Sequence, residues 1–330
     1  MPAPARVDDA FTAPFAGLWH RGAAFIVDGL ILGLIGYALG LALFDTFVRL
    51  GPWGRGVGFV VALAYFVPQE SARGGGQSLG KRLLRIRVVD AQGNALSPAR
   101  SALRFAIFGV PYFLNGAPLP IDALSFAHGV PVAVLVTGGL LALAYLLVFN
   151  RRTRQSLHDL AVGSFVVRVR RDAHDARDVP GPARVWAGHL AIAGGLVAVA
   201  GATPLLYPRL LRLPLFAGLH MLEQRLEAQP ELRAVGVSES VSSVYGATES
   251  ERRELLIEAT VAHPLDDNVP LATRLAGIAL ASYPDARLQD AIDVRLSHGY
   301  DIGIAASWST QALALTPAQW ADRVAAGVAN

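Results

Sequence analysis

Residues 23–44 read AAFIVDGLILGLIGYALGLALF, a run of 22 apolar or small residues broken by one charge, Asp28. At about 1.5 Å of rise per residue a helix of this length covers the roughly 30 Å of a bilayer's hydrocarbon core. Met1–Ala16 carries Asp8 and Asp9 and no apolar core, so the run reads as a retained span rather than part of a cleaved signal peptide. The rest of the chain agrees. Its 330 residues are 53% hydrophobic and 17% charged, and its mean hydropathy is +0.40. That balance is wrong for a pair of water-soluble domains.

Three further runs resemble the first. Gly51–Gln69 ends before Glu70, Gly129–Phe149 has no charged residue, and Val185–Leu206 has His189 as its titratable group. Ala102–Leu119 is interrupted by Arg104, Pro111 and Gly116. Both flanking loops are basic: Ala72–Arg104 has seven basic residues and one acid, and Asn150–Arg184 has eight and four. The positive-inside rule puts both on the cytoplasmic face. Ala102–Leu119 must then cross if Gly129–Phe149 does.

The expected fold is therefore a polytopic α-helical membrane protein of about five spans plus a small C-terminal α+β soluble domain. A cytoplasmic tail (1–16) precedes a transmembrane domain (17–170) with spans near 23–44, 51–69, 102–119 and 129–149. A cytoplasmic linker (171–184) and a fifth helix (185–206) deliver residues 207–330 to the outer side. Residues 1–206 carry a net charge of +8 and residues 207–330 one of −5. The basic excess thus lies between apolar runs, where it reads as topology and not as a nucleic-acid footprint. Of 29 basic residues all but Lys81 are Arg, which together with abundant Ala and Gly suggests a GC-rich bacterial genome and hence an inner-membrane location.

In the tail, Phe216–Ala228 has the three-to-four spacing of an amphipathic helix that can stand on the membrane. Leu255–Val261, Ala291–Leu296 and Ile302–Leu313 read as strands with His298–Tyr300 as a turn. Pro270–Ala281 and Pro317–Ala326 read as helices with proline in the first turn. Glu249–Glu254 reads as a solvated face or turn, and Ser238–Ser243 as a strand edge or loop.

The absence of cysteine excludes disulfides, thiolate nucleophiles and cysteine-ligated metal. His220, His263, His298, Asp266 and Asp267 show no metal-ligand or catalytic spacing. No cofactor, no metal and no enzyme activity are expected. Gly75-Gly76-Gln77-Ser78-Leu79-Gly80-Lys81 has phosphate-loop spacing, but Arg82 stands where a magnesium-binding Ser or Thr belongs and a membrane helix precedes it, so it reads as a basic membrane-proximal turn. Leu83–Val89 alternates like a strand, Asp90–Asn94 reads as a turn, and Ser97-Pro98 opens a helix.

Asp28 carries the sharpest signal, because a carboxylate within a span costs roughly 2.5–3.5 kcal/mol and is expected to face protein with a partner. Arg21, seven residues earlier on the same helix face, is one candidate. Asp28 is either part of a cation or proton site tuned by Arg21 or a structural ion pair, and both readings stay open. Lys81, Arg82, Arg85 and Arg87 line a basic surface suited to anionic lipid headgroups. His158-Asp159, below the fourth span, reads as an ion pair in which Asp159 contacts a basic residue of the other loop.

Together these pieces resemble the RDD family of bacterial membrane proteins, named for an arginine and two aspartates. The resemblance covers about Ala16–Val167. It rests on Arg21, Asp28, the loop Gly76–Leu84 leading into Ile86–Asp90, and Leu157–Ser164. It implies that Arg21, Asp28 and Asp159 are the named triad, and that the role is transport of a ligand the family does not define, with cation–proton exchange suggested for some members. Two functions follow as expectations: proton-coupled movement of a small cation through a charged intramembrane site, or a non-transporting scaffold or sensor whose outer domain binds an envelope protein. Membrane lipid is a partner under both, and a homo-oligomer is compatible with both.

Overall fold

The computed structural model describes residues 15–115, 126–169, 185–210, 214–244, 250–266 and 268–328. The tail up to residue 14, Gly116–Leu119 at the end of the third run, the linker 171–184, Glu249 and Asp267 lie outside them. The chain divides into two compact units, one of residues 1–38, 55–204 and 302–305, the other of residues 39–54, 205–301 and 306–330.

The helices α1 (Leu18–Leu50) and α2 (Gly54–Glu70), which belong to the first unit up to residue 38 and from residue 55, are joined by a 3-10 turn at Gly51–Trp53. The helical stretch Leu18–Glu70 is one of three among the described residues with a window long and apolar enough to cross a membrane, with Val130–Phe149 and Ala187–Leu206. It doubles back: the Tyr65 hydroxyl donates to Asp28 at 2.7 Å, and Leu32 clusters with Ala62 and Phe66. The helices are thus antiparallel neighbours.

The helix α4 (Pro98–Leu114) starts where Ser97 caps it, its hydroxyl accepting from the Arg100 amide at 3.3 Å, with Pro98 in the first turn. It lies antiparallel to α2 along that helix's length. Arg104 meets Glu70 at 2.6 Å, the Phe105 ring stacks on Phe66, Phe113 meets Phe59, and Arg55 donates to the Asn115 carbonyl. A helix paired from Glu70 to Arg55 covers the depth that α2 covers, so Pro111 does not stop it short.

The next run is two helices, α5 (Phe126–Ala133) and α6 (Gly139–Phe149), joined by one π turn at Val134–Gly138. There Gly138 faces Val197 and Ala200 of α8 (Ala187–Leu210) so closely that a Cβ added to it would lie 3.0–3.5 Å from them, and Gly139 faces Pro111. Small residues let the backbones approach.

A polar end caps these helices. The expected strand from Leu83 begins later, because Leu79–Leu83 forms a short helix, α3, capped by Ser78. A turn with Arg85 at φ +53° then leads into β1 (Ile86–Asp90). That strand pairs antiparallel with β2 (Ser164–Arg168), Val88 opposite Val166, although 73 residues separate their facing ends. Between α6 and β2 lies the one-turn helix α7 (Leu157–Ala161).

The second unit holds a small α/β domain. Four strands, β3 (Leu232–Val244), β4 (Ser250–Val261), β5 (Ala291–Asp301) and β6 (Ala306–Leu315), lie in that order, antiparallel except for the parallel pair β4–β5. The parallel pair needs a crossover, supplied by α10 (Val269–Ser282). Its core joins Leu255 and Ile257 of β4, Ile292 and Val294 of β5, Leu275 of α10 and Trp320 of α11 (Pro317–Val328). The Trp320 indole N–H donates to the Ile292 carbonyl at 2.9 Å, which satisfies its polar tip inside the core.

Two readings need correction here. The helix α9 (Pro214–Glu227) turns Leu222 and Leu226 into this core rather than onto a membrane. His298–Tyr300 lies within β5, and the chain reverses at Ile302–Ala305 with Gly303 at φ +78°. The serine-rich Ser238–Ser243 lies in β3, an edge strand of the sheet, which agrees with its reading as a strand edge.

Candidate functional site

Two buried carboxylates organise the polar end of the first unit, and both are 0% exposed. Asp159 is held by cations. Its Oδ2 accepts from Arg21 Nη2 at 2.7 Å, and its Oδ1 accepts from Arg104 Nη2 at 2.6 Å and Nε at 3.0 Å. The chain continues through Arg104 to Glu70 at 2.6 Å and from Glu70 to Lys81. The Lys81 ammonium also lies over the Phe66 ring at 5.6 Å.

Local structure sets Asp159 in place. Ser156 caps α7, and Asp159 reaches back to accept from the Ser156 amide at 3.1 Å, completing a capping box. Burial alone raises the Asp159 carboxyl. The Arg21 cation, with that of Arg104, overcomes it and holds the group well below the usual carboxylate range. His158 behaves oppositely. Burial pushes its imidazole down to about 3, against the pull of Asp159 and with the help of Arg104 and Arg21. Its Nε2 lies 3.4 Å from Asp159, and its Nδ1, where a second proton would sit, has no partner among the described residues.

Asp28 is bound differently. It accepts from the Ser78 hydroxyl at 2.5 Å, the Gly80 amide at 2.8 Å and the Tyr65 hydroxyl at 2.7 Å. None of these donors is a cation. Ser78 uses both capacities of its hydroxyl, donating to Asp28 while accepting from the Lys81 amide at 3.4 Å as the cap of α3. Gly80 sits against α1: a Cβ there would overlap the Ala24 carbonyl oxygen and come within 2.9 Å of the Asp28 carboxyl carbon.

Arg21 therefore goes to Asp159 and the Arg154 carbonyl, while Asp28 takes neutral donors. Three cations (Arg21, Lys81, Arg104) balance three carboxylates (Asp28, Glu70, Asp159). Of the four basic residues read as a surface, Lys81 is withdrawn into this network, Arg87 is half-buried on β1, and Arg82 and Arg85 are exposed. Arg104, Glu70, Tyr65 and Ser78 had no place in the sequence reading of the site. Arg104 had a usable signal, since the argument that demands a partner for Asp28 demands one for an arginine within an apolar run. No group of three or more potential metal ligands occurs among the described residues.

Residues 15–163 match the model of the RDD family, a stretch that contains Arg21, Asp28 and Asp159 and stops before α8 and the α/β domain. This part of the chain, with helices long and apolar enough to cross a membrane, is thus similar to the RDD family. No curated protein and no solved structure matches the chain.

Proposed function

We propose that the RDD-family region is a locked membrane scaffold that carries the C-terminal α/β domain on the outer side of a bacterial inner membrane, where that domain meets a protein or envelope partner. The N-terminus and the basic loops lie in the cytoplasm, and α1, α2, α4, α5–α6 and α8 make five crossings. The pairing of α4 along the whole of α2 supports the count. The basic loops support the orientation.

One observation carries the scaffold role. The Asp28 carboxylate, fully buried, commits both of its oxygens to two hydroxyls and a backbone amide that tie α3 to α1 and α2. A site that loads and releases a cation keeps acceptor capacity free and an opening to water. Here the carboxylate is sealed by the protein, and the neighbouring charges are already matched.

Wild-type protein and Asp28→Asn in reconstituted vesicles distinguish the two functions. The scaffold role expects no sodium–proton or potassium–proton exchange above empty vesicles and a lowered unfolding temperature for the variant. Exchange by the wild type that vanishes in a variant still folded, as judged by gel filtration and thermal melting, overturns the scaffold role in favour of proton-coupled cation transport.

A further inference from the structure

The short helix α3 has two faces with opposite demands. Gly80 presses against Ala24 and Asp28, which fixes α3 beside the first two turns of the apolar run that begins at Ala23. On its other side Leu79 and Leu83, one turn apart, are 45% and 69% exposed. Leucines exposed at that depth on α1 face the boundary between headgroups and acyl chains. Trp19, at the mouth of α1, is 85% exposed at the same end, and tryptophan is enriched at this boundary.

Arginines surround these leucines. The Arg85 amide donates to the Arg82 carbonyl at 3.2 Å, and the Arg85 carbonyl accepts from the Val169 amide at 2.8 Å, which sets Arg82, Arg85 and Arg168 side by side around the end of the β1–β2 ladder. All three are exposed, and none pairs with a carboxylate among the described residues. The Arg168 guanidinium reaches towards Gly17, just before Trp19. Every neighbouring cation that has an acid partner is turned inward: Lys81 to Glu70, Arg21 and Arg104 to Asp159.

We infer that α3 and the arginines beside it form a docking site for an anionic glycerophospholipid. Leu79 and Leu83 enter the acyl region, Trp19 sits at the glycerol level, and Arg82, Arg85 and Arg168 hold the phosphate. The occupant is a lipid and not a soluble phosphate because the same surface offers apolar area that a free anion cannot cover, and snorkelling arginines above buried leucines match an acidic headgroup joined to acyl chains. The inference rests on the membrane placement of α1 alone, so loss of the scaffold role in the flux experiment leaves it standing.

Native mass spectrometry of the full-length protein, extracted from bilayers of equal phosphatidylglycerol and phosphatidylcholine, tests it. The wild type is expected to retain phosphatidylglycerol preferentially. The double variant Arg82→Gln/Arg85→Gln is expected to lose roughly 25-fold of that preference, about fivefold for each arginine at an anionic surface. Leu79→Ser/Leu83→Ser is expected to lower retention of both lipids. The altered side chains are exposed, and unchanged melting of each variant confirms the fold. Equal retention of the two lipids by the wild type, or an unchanged preference in the arginine variant, overturns the inference. Displacement of bound lipid by millimolar glycerophosphate overturns it in favour of a soluble-anion site.

Discussion

Asp159 and Asp28 are both fully buried carboxylates of the same polar end, yet one is surrounded by guanidinium groups and the other by hydroxyls and an amide. The difference follows from where each stands. Asp159 belongs to a capped turn between elements, beside two arginines that are themselves taken out of water and need an anion. Asp28 belongs to the interior of an apolar helix, where no second charge comes free and small donors from a folded-back loop do the work. A buried acid is thus a poor guide to chemistry until its donors are known.

The largest expected effect comes from breaking the charged member of the pair. Asp159→Asn leaves Arg21 and Arg104 buried against too few acceptors, and removing one partner of such a network costs about 3–5 kcal/mol. Thermal melting in detergent should fall further for this variant than for any change at Asp28. A double-mutant cycle with Arg104→Gln should return less than the sum of the two losses.

Asp28→Asn is expected to cost about 1.5–3 kcal/mol, the range for hydrogen bonds to a charged group, because the amide keeps one oxygen for three donors. Gly80→Ala attacks the same contact from the loop side, since its methyl group would overlap the Ala24 carbonyl. Accelerated proteolysis confined to the α3 loop would sharpen the contrast with Asp159. An Asp28→Asn variant less stable than Asp159→Asn would break it.

A pH dependence also probes the Asp159 side of the comparison. His158 contacts Asp159 and is held neutral down to about 3 in the folded protein, whereas in the unfolded chain it takes up a proton near 6.5. The unfolded state then binds more protons between about 6.5 and 3, so stability falls as pH drops through that window. Asp159, with its carboxyl held low, adds a loss that sets in as pH falls into the ordinary carboxylate range, where the unfolded chain's carboxyl takes up a proton, and grows below it. Melting temperatures of His158→Asn should be flatter between pH 6.5 and 4.5 than those of the wild type. An equal slope in both would show that the imidazole is not the group responsible.

Much of this was legible in the sequence. Long apolar runs report their own length, and Ser97-Pro98 announces a helix start because cap and proline act locally. The cysteine-free, charge-divided composition separates membrane region from tail. What stayed hidden depends on contacts between distant residues. Gly299 looked like a turn residue, but it serves close strand pairing, a Cβ there overlapping the Ser307 carbonyl. The strand β3 was obscured because its second half, Ser238–Val244, is mostly serine, a residue as common in loops as in strands. Arg21 looked like the partner of Asp28 because both lie on one helix face, and the competition from Asp159, 138 residues away, is invisible to helical periodicity.

The cationic cluster also has an order of assembly. A ribosome releases Arg104 before Asp159, and the 55 residues between them take roughly 3–11 s at 5–20 residues per second. During that interval the nascent chain holds Arg21 and Arg104 with Glu70 but without their shared acceptor, and β1 waits for β2. The Ser78–Gly80 loop can dock on Asp28 as soon as α3 emerges. Assembly of this region therefore has an early, reversible fastening and a late one, and a chain truncated before Asp159 presents unmatched arginines to the cell's quality-control proteases.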